Sequence, residues 1–295
     1  MFHTFIAEHA WAHALAGLAL FIGAFMIVTR LGKFLYTVLK TTILPAPSAA
    51  PYKGKEDFST WAIVTGAAGG IGRSYCEEFA KRKFNLILID VYEEGLKQLN
   101  EELKERHPGI QLQLLPIDLS LTDGTWEATV QSAIRDKAVS VLVNNAGITV
   151  DPPGVLDQVD PDQLKRILDV NVRSMAILTQ MTVPALLKMH EGNRAKRGLV
   201  ISMSSFTART SVPMLQVYGA SKRFVEHFTS ALAAEYKGKI DFVTAAPWWV
   251  ATPMTGIRRP NWRAISPAKF TAGVMKFIGS TNIPVDPYWI FSFFE

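Results

Sequence analysis

TWAIVTGAAGGIGRSYCEEFAKRK, residues 60 to 83, is the stretch on which the fold turns. A short apolar, β-branched run, Thr60 to Val64, leads into Thr65-Gly66-Ala67-Ala68-Gly69-Gly70-Ile71-Gly72, and an amphipathic helical pattern follows at once. Strand, glycine turn and helix in immediate succession let the backbone bend sharply and bring helix-terminal N–H groups up to a pyrophosphate. Gly66, Gly70, Ile71 and Gly72 are the candidate contacts for such a group. Glycine is also the default turn residue, so the turn by itself leaves an ordinary loop as the alternative.

The next apolar run, Asn85 to Ile89, ends in Asp90, where a dinucleotide fold places the acid that takes the adenosine ribose hydroxyls. A carboxylate there repels a 2′-phosphate, and no Arg or Lys occurs from Asp90 to Gly95 to accept one. The local chemistry therefore favours NAD(H), with NADP(H) as the alternative; the competing reading of Asp90 is a cap for a helix starting near Glu93. LQLLPIDLS (112–120) reads as a third strand closed by Asp118 and Leu119. VSVLVNNAGI (139–148) reads as a fourth, closed by Asn144, Asn145, Ala146 and Gly147. Strands alternating with helical patterns predict an α/β fold, a Rossmann-like doubly wound parallel sheet in a single domain.

Outward from this core, the 295 residues have room for one such domain and an appendage. With 48% apolar and 19% charged residues the chain is neither disordered nor collagen-like. A single cysteine, Cys76, excludes an internal disulfide framework and a cysteine-built metal site, and it suits a reducing compartment. The net charge of +5 comes from scattered basic residues, and no motif points to nucleic acid. His107, His190 and His227 lack metal-ligand spacing, so no metal site is expected.

The appendage is amino-terminal. AWAHALAGLALFIGAFMIVT (10–29) is apolar and long enough to span a bilayer as a helix. A cleaved signal peptide is the other reading, but no basic residue precedes the run and it is longer than the usual apolar core of such a peptide. Arg30, Lys33 and Lys40 follow it, so the positive-inside bias places everything downstream in the cytosol. Residues 1–44 are thus expected to be a single-pass membrane anchor whose segment 31–44 lies along the bilayer surface, 45–58 a linker, and 59–295 the catalytic domain.

The glycine turn, then Asn144 to Gly147, then Tyr218-Gly219-Ala220-Ser221-Lys222 occur in an order that resembles the short-chain dehydrogenase/reductase family. A Tyr and a Lys four residues apart share a helix face, so the ammonium of Lys222 stabilises a Tyr218 phenolate and lowers its pKa. The resemblance implies an NAD(P)-dependent oxidoreductase in which Tyr218 moves the proton and Lys222 also holds the nicotinamide ribose. It further implies that Ser205, rather than Ser204, orients the substrate oxygen. Asn171 would tie the lysine to a water chain, and Val250 and Thr252 would contact the nicotinamide carboxamide. Asp118, Leu119, Asn144, Ala146 and Gly147 complete the implied cofactor contacts. Trp248 stands where the family usually has a glycine, which leaves the pocket shape open.

Within the family the anchor, Trp61 to Gly66, and Val250 to Pro267 resemble the membrane-anchored branch of 17β-hydroxysteroid dehydrogenase type 12 and the very-long-chain 3-oxoacyl-CoA reductases. That likeness implies a lipophilic substrate, a 3-oxoacyl-CoA or a 17-oxo or hydroxysteroid, in the endoplasmic reticulum membrane, with a homodimer as a family habit. It also implies NADPH, whereas Asp90 and Val91 stand where the branch usually has Ser and Arg. The residues themselves favour NAD, which would in turn admit alcohol oxidation as the working direction. Arg258 and Arg259 either steer a CoA phosphate or lipid headgroup or form a solvated loop. The aromatic stretch 283–295 completes a lid, dips into the membrane or forms a last strand. The competing class is a catalytically silent nucleotide-binding scaffold or redox sensor at a membrane, against which the complete set Ser205, Tyr218, Lys222 and Asn171 argues.

Overall fold

The computed structural model describes residues 2–54, 56, 58–194, 196–279 and 285. The chain divides into two compact units between Pro45 and Ala46. The first contains α1 (Phe2–Val38), which runs on without interruption into a π-helical turn, Leu39–Ile43. Trp11 to Val38 has a mean hydropathy of 2.1 and is long and apolar enough to cross a membrane. Segment 31–44, read above as a separate surface stretch, is a continuation of this same helix as far as Ile43. Nothing in LGKFLYTVLKTTI breaks a helix, and the first proline is Pro45.

The second unit runs β1 (Trp61–Thr65), α2 (Gly70–Lys81), β2 (Asn85–Asp90), α3 (Glu93–Arg106), β3 (Leu112–Pro116), α4 (Thr125–Ile134) and β4 (Val139–Asn144), then α5 (Pro161–Leu168) and α6 (Ser174–Gly192). β5 (Gly198–Met203), α7 (Gln216–Glu235), β6 (Ile240–Ala245) and α8 (Pro267–Val274) follow. All strands pair in parallel, in the order β3-β2-β1-β4-β5-β6. β4 and β5 are buried along their whole length, as strands covered by helices on both faces must be. One face packs Ile63, Ile87, Leu142, Val200 and Phe242 against Trp126 and Val130 of α4 and Leu178 and Leu186 of α6. This is the expected Rossmann-like sheet. Strand order reverses between β1 and β4, which opens a crevice at their carboxyl ends where ligands of such sheets bind.

The boundary expected near Ser59 lies earlier. The compact unit starts at Ala46, and Tyr52 is buried against the sheet, its hydroxyl donating to Asp241 Oδ2 at 2.7 Å. Arg197 reinforces the attachment, its backbone N–H donating to Pro51 O and its guanidinium to Asp241 Oδ1. The Pro and Ala content of 45–58 suggested a free linker; one aromatic side chain with a half-buried acceptor outweighs that composition. Burial and the Asp241 charge both push the Tyr52 pKa up, so the phenol stays protonated and keeps donating. Tyr52→Phe leaves a half-buried carboxylate oxygen short of a donor and is expected to lower stability by about 1–2 kcal/mol, read as a fall in melting temperature. An unchanged melting temperature would show that the segment is a passive linker.

Candidate active site

The glycine turn joins β1 to α2 and is built by close approach. Gly66 has φ +63°, and a Cβ on Gly72 would lie 1.9 Å from Gly66 O, so neither position has room for a side chain. Two residues not singled out above hold the turn to β4. Thr65 Oγ1 accepts from the backbone N–H groups of Asn145 and Ala146, both at 2.9 Å. Asn145 Nδ2 donates to Thr65 O at 2.8 Å and Gly66 O at 3.2 Å. The repeated asparagine was the available signal, but sequence does not say which of the two faces the turn. Asn144 turns away, its Nδ2 donating to Thr179 Oγ1 at 2.9 Å on α6.

Asp90 closes β2 beside the turn. Its Oδ2 accepts from Ala68 N at 2.9 Å and its Oδ1 from Tyr92 N at 3.0 Å, so two backbone amides pin the carboxylate at the rim of the cavity. The second bond is a local turn just before α3 and not a helix cap: Tyr92 is itself the N-cap residue, and no side chain caps that helix. Asp118 and Leu119 lie beyond the end of β3, where Asp118 Oδ1 accepts from Ser120 N and Oγ; neither residue lines the cavity.

The other end of the cavity gathers the residues implied by the Tyr-Lys motif. Ser205 ends the segment after β5, and Tyr218 and Lys222 lie one turn apart on α7. The Ser205 hydroxyl lies close to the Tyr218 phenol, and Lys222 Nζ sits 5.7 Å from the centre of the Tyr218 ring while donating to Met203 O at 2.9 Å. Gly147 fits because it has no side chain: a Cβ there would be 3.0 Å from Lys222 Nζ and 3.3 Å from Asn171 Oδ1. Asn171 lies in a π-helical turn, Asp169–Arg173, between α5 and α6, a distortion that recurs at functional sites. Its side chain is buried and clamps Ile148, accepting from the N–H and donating to the O at 2.9 Å each, while Nδ2 also donates to Ser221 Oγ at 3.0 Å. This asparagine thus braces the loop after β4 against α7.

Burial governs the electrostatics here. It lowers the Lys222 pKa to about 8 and raises that of Tyr218, the Ser205 hydroxyl opposing the latter shift only in part. The expected lowering of the Tyr218 pKa by its lysine is not what this site shows. A low-dielectric pocket penalises phenolate and ammonium alike, and the lysine charge is already engaged by a carbonyl. Ser204 serves the scaffold, its Oγ donating to Lys222 O at 3.1 Å and Glu226 Oε1 at 3.2 Å. Glu226 is buried and also takes Arg209 Nε at 3.1 Å and Arg223 at 3.0 Å, fastening the segment after Ser205 to α7.

Between the two ends lies a cavity of about 480 Å³. Gly66, Gly70 and Ile71 of the glycine turn, with Asp90, Ala146, Gly147, Ser205, Tyr218, Lys222, Val250 and Thr252, all line it, whereas Gly72 packs behind the turn and Asn171 behind Gly147. Thr252 faces the turn, its Cγ2 being 3.3 Å from where a Gly70 Cβ would stand. Trp248, at the position that left the pocket open, stacks on Phe206 with ring centres 4.6 Å apart and planes 9° from parallel. One wall is therefore flat and aromatic. A cradle without side chains at the amino end of α2, with an acid at its edge, fits the pyrophosphate and ribose of a nicotinamide dinucleotide. Ser205, Tyr218 and Lys222 lie at the far end of the same cavity.

Such a parallel sheet and cavity define a nucleotide-dependent oxidoreductase. The short chain dehydrogenase family matches residues 60–262, and this chain belongs to it. A very-long-chain 3-oxoacyl-CoA reductase of Neurospora crassa is 31% identical over 288 residues, covering 96% of this chain and 83% of that protein. A 3-ketoacyl-(acyl-carrier-protein) reductase from Brucella melitensis, solved with NADH, superposes with a TM-score of 0.64 at 27% identity over 74% of this chain and 89% of that one. A short-chain dehydrogenase from Sphingobium yanoikuyae, solved with NADPH, gives 0.65 at 23% identity over 74% and 84%. The protein is an NAD(P)-dependent oxidoreductase, and its fold is common to users of either dinucleotide.

Proposed function

We propose that this chain is a membrane-anchored reductase of lipophilic 3-oxo thioesters, the 3-oxoacyl-CoA class, with Tyr218 as the general acid. The observation that carries this reading is the convergence of Ser205, Tyr218 and Lys222 at the buried end of a cavity whose opposite end is the glycine cradle. The thioester class comes from the relatives' name, and the indole of Trp248 in the cavity wall, backed by Phe206, suits an apolar chain. Gly66, Gly70, Ile71 and Asp90 would hold the dinucleotide, NAD(H) in preference to NADP(H), and Lys222 its nicotinamide ribose. When bound, it supplies the hydride.

The remaining steps belong to the protein. Ser205 Oγ and Tyr218 Oη hold the carbonyl oxygen, and Tyr218 Oη gives it the proton as negative charge develops. Lys222, charged below about pH 8, steadies the phenolate left behind. Burial that raises the Tyr218 pKa keeps the phenol protonated, which suits carbonyl reduction; alcohol oxidation needs the phenolate. The apolar helix α1 would hold the enzyme in a membrane, with the endoplasmic reticulum and a cytosol-facing domain as the proposed setting.

Full-length protein in a neutral detergent, assayed by loss of dihydronicotinamide absorbance, is expected to reduce a long-chain 3-oxoacyl-CoA in preference to a 17-oxosteroid. The reverse preference would move the assignment to steroids. Reduction is expected to hold level from about pH 6 to about pH 8 and then fall, while oxidation of the 3-hydroxy product climbs over the same upper range. Oxidation that is fastest at neutral pH would contradict the protonated-phenol argument.

A further inference from the structure

From Val250 to Gly279 the sequence holds no acidic residue, and Arg258, Arg259 and Arg263 fall close together within it. All three are exposed. Among the described residues no carboxylate pairs with any of them, whereas Arg73, Arg173 and Arg197 each lie against an Asp or Glu. Neighbouring guanidiniums without countercharge repel one another, and a bound polyanion relieves that repulsion.

The loop that carries them is rooted in the cavity wall. It leaves through Pro253, Met254 and Thr255, which line the cavity, and returns at Ile265, which bridges Val250. Ala251 N donates to Ile265 O at 2.9 Å, so the base is closed. Asn261 Oδ1 shapes the far turn by accepting from Arg263 N at 2.8 Å and Ala264 N at 3.0 Å. There the Arg263 guanidinium lies 4.7 Å from the centre of the Trp262 ring, and that indole is 68% exposed. A loop rooted in the cavity wall thus carries three exposed arginines and an exposed indole.

Size then separates inside from outside. A cavity of about 480 Å³ that also receives the dinucleotide leaves room for only the reacting end of one substrate. The nucleotide end of a coenzyme A thioester has to lie on the rim.

We infer that the loop 253–264 binds the 3′-phospho-ADP end of an acyl-CoA substrate, with Arg258 and Arg259 on its phosphates and Trp262 against its adenine. This rests on the thioester reading above. Guanidiniums bind phosphate oxygens in a bidentate manner, and purines stack on indole.

The test compares a 3-oxoacyl-CoA with the same 3-oxoacyl chain on N-acetylcysteamine, whose thioester is alike but which has no phosphate. The double change Arg258→Gln, Arg259→Gln is expected to raise KM for the CoA thioester roughly thirtyfold, with kcat and the kinetics of the N-acetylcysteamine thioester moving less than about twofold. An equal change for both thioesters, or for neither, overturns the inference. Free coenzyme A is titrated calorimetrically into full-length protein saturated with NADH, which keeps the dinucleotide cradle out of the readout. Binding that the double change abolishes and that 3′-dephospho-CoA reproduces only weakly supports the loop even if neither thioester is reduced, in which case the thioester reading alone fails. No coenzyme A binding by the unaltered protein overturns it, as does displacement by inorganic phosphate or phosphatidylserine vesicles at matched phosphate concentration.

Discussion

Tyr218→Phe is expected to lower kcat roughly a thousandfold while dinucleotide affinity changes less than about threefold, because a positioned proton donor contributes about 10²- to 10⁴-fold. The ring is half-buried in the cavity wall, and phenylalanine keeps its packing, so the change removes little besides the hydroxyl beside Ser205. No other described side chain in that corner can take over. Lys222 Nζ already donates to Met203 O, and Ser205 Oγ accepts from Thr207 N at 3.3 Å and has a far higher intrinsic pKa than a phenol. Single-turnover rates and dinucleotide titration, measured on the same preparation, separate chemistry from binding. A kcat within tenfold of the unaltered protein would remove Tyr218 from the chemistry and restore the scaffold reading.

Dinucleotide choice should respond nearly as strongly to Asp90. Unit charges about 4 Å apart interact by about 4 kcal/mol near a protein surface, and partial exposure of this carboxylate reduces that figure. A preference of about 2–3 kcal/mol for NADH over NADPH follows, or roughly thirty- to a hundredfold in affinity. Asp90 also accepts from Ala68 N and Tyr92 N, so the variant matters. Asp90→Asn keeps one acceptor oxygen and loses the charge, and it is expected to reduce the preference to about threefold or less, mainly by tighter NADPH binding. Asp90→Ala removes both acceptors, loosens the glycine turn and should weaken both dinucleotides. Fluorescence titration checks each. A preference of the unaltered protein for NADPH would show that the 2′-phosphate is placed clear of this carboxylate.

Much of this was legible in one dimension. Parallel strands are continuous apolar runs, and a glycine turn has few other uses between such a run and a helix, so Thr60 to Gly72 and the runs to Asp90, Asn144 and Met203 announce the sheet. The i, i+4 spacing of Tyr218 and Lys222 likewise puts both on one helix face without any tertiary information.

Other features depend on how distant segments meet. Tyr52 became part of the domain because an acceptor, Asp241, lies far along the chain at the start of β6. Asn145 rather than Asn144 faces the glycine turn because alternate residues leave a strand end on opposite sides, and register against Thr65 settles the side. Glu226 and Arg209 are an unremarkable helix acid and loop base until folding buries one against the other. The direction of the Tyr218 shift was misjudged for the same reason: spacing identifies the neighbouring lysine, but desolvation is a property of everything packed around the pair. Local pattern carries periodicity and turn chemistry, whereas burial and long-range partners exist only once the chain has closed on itself.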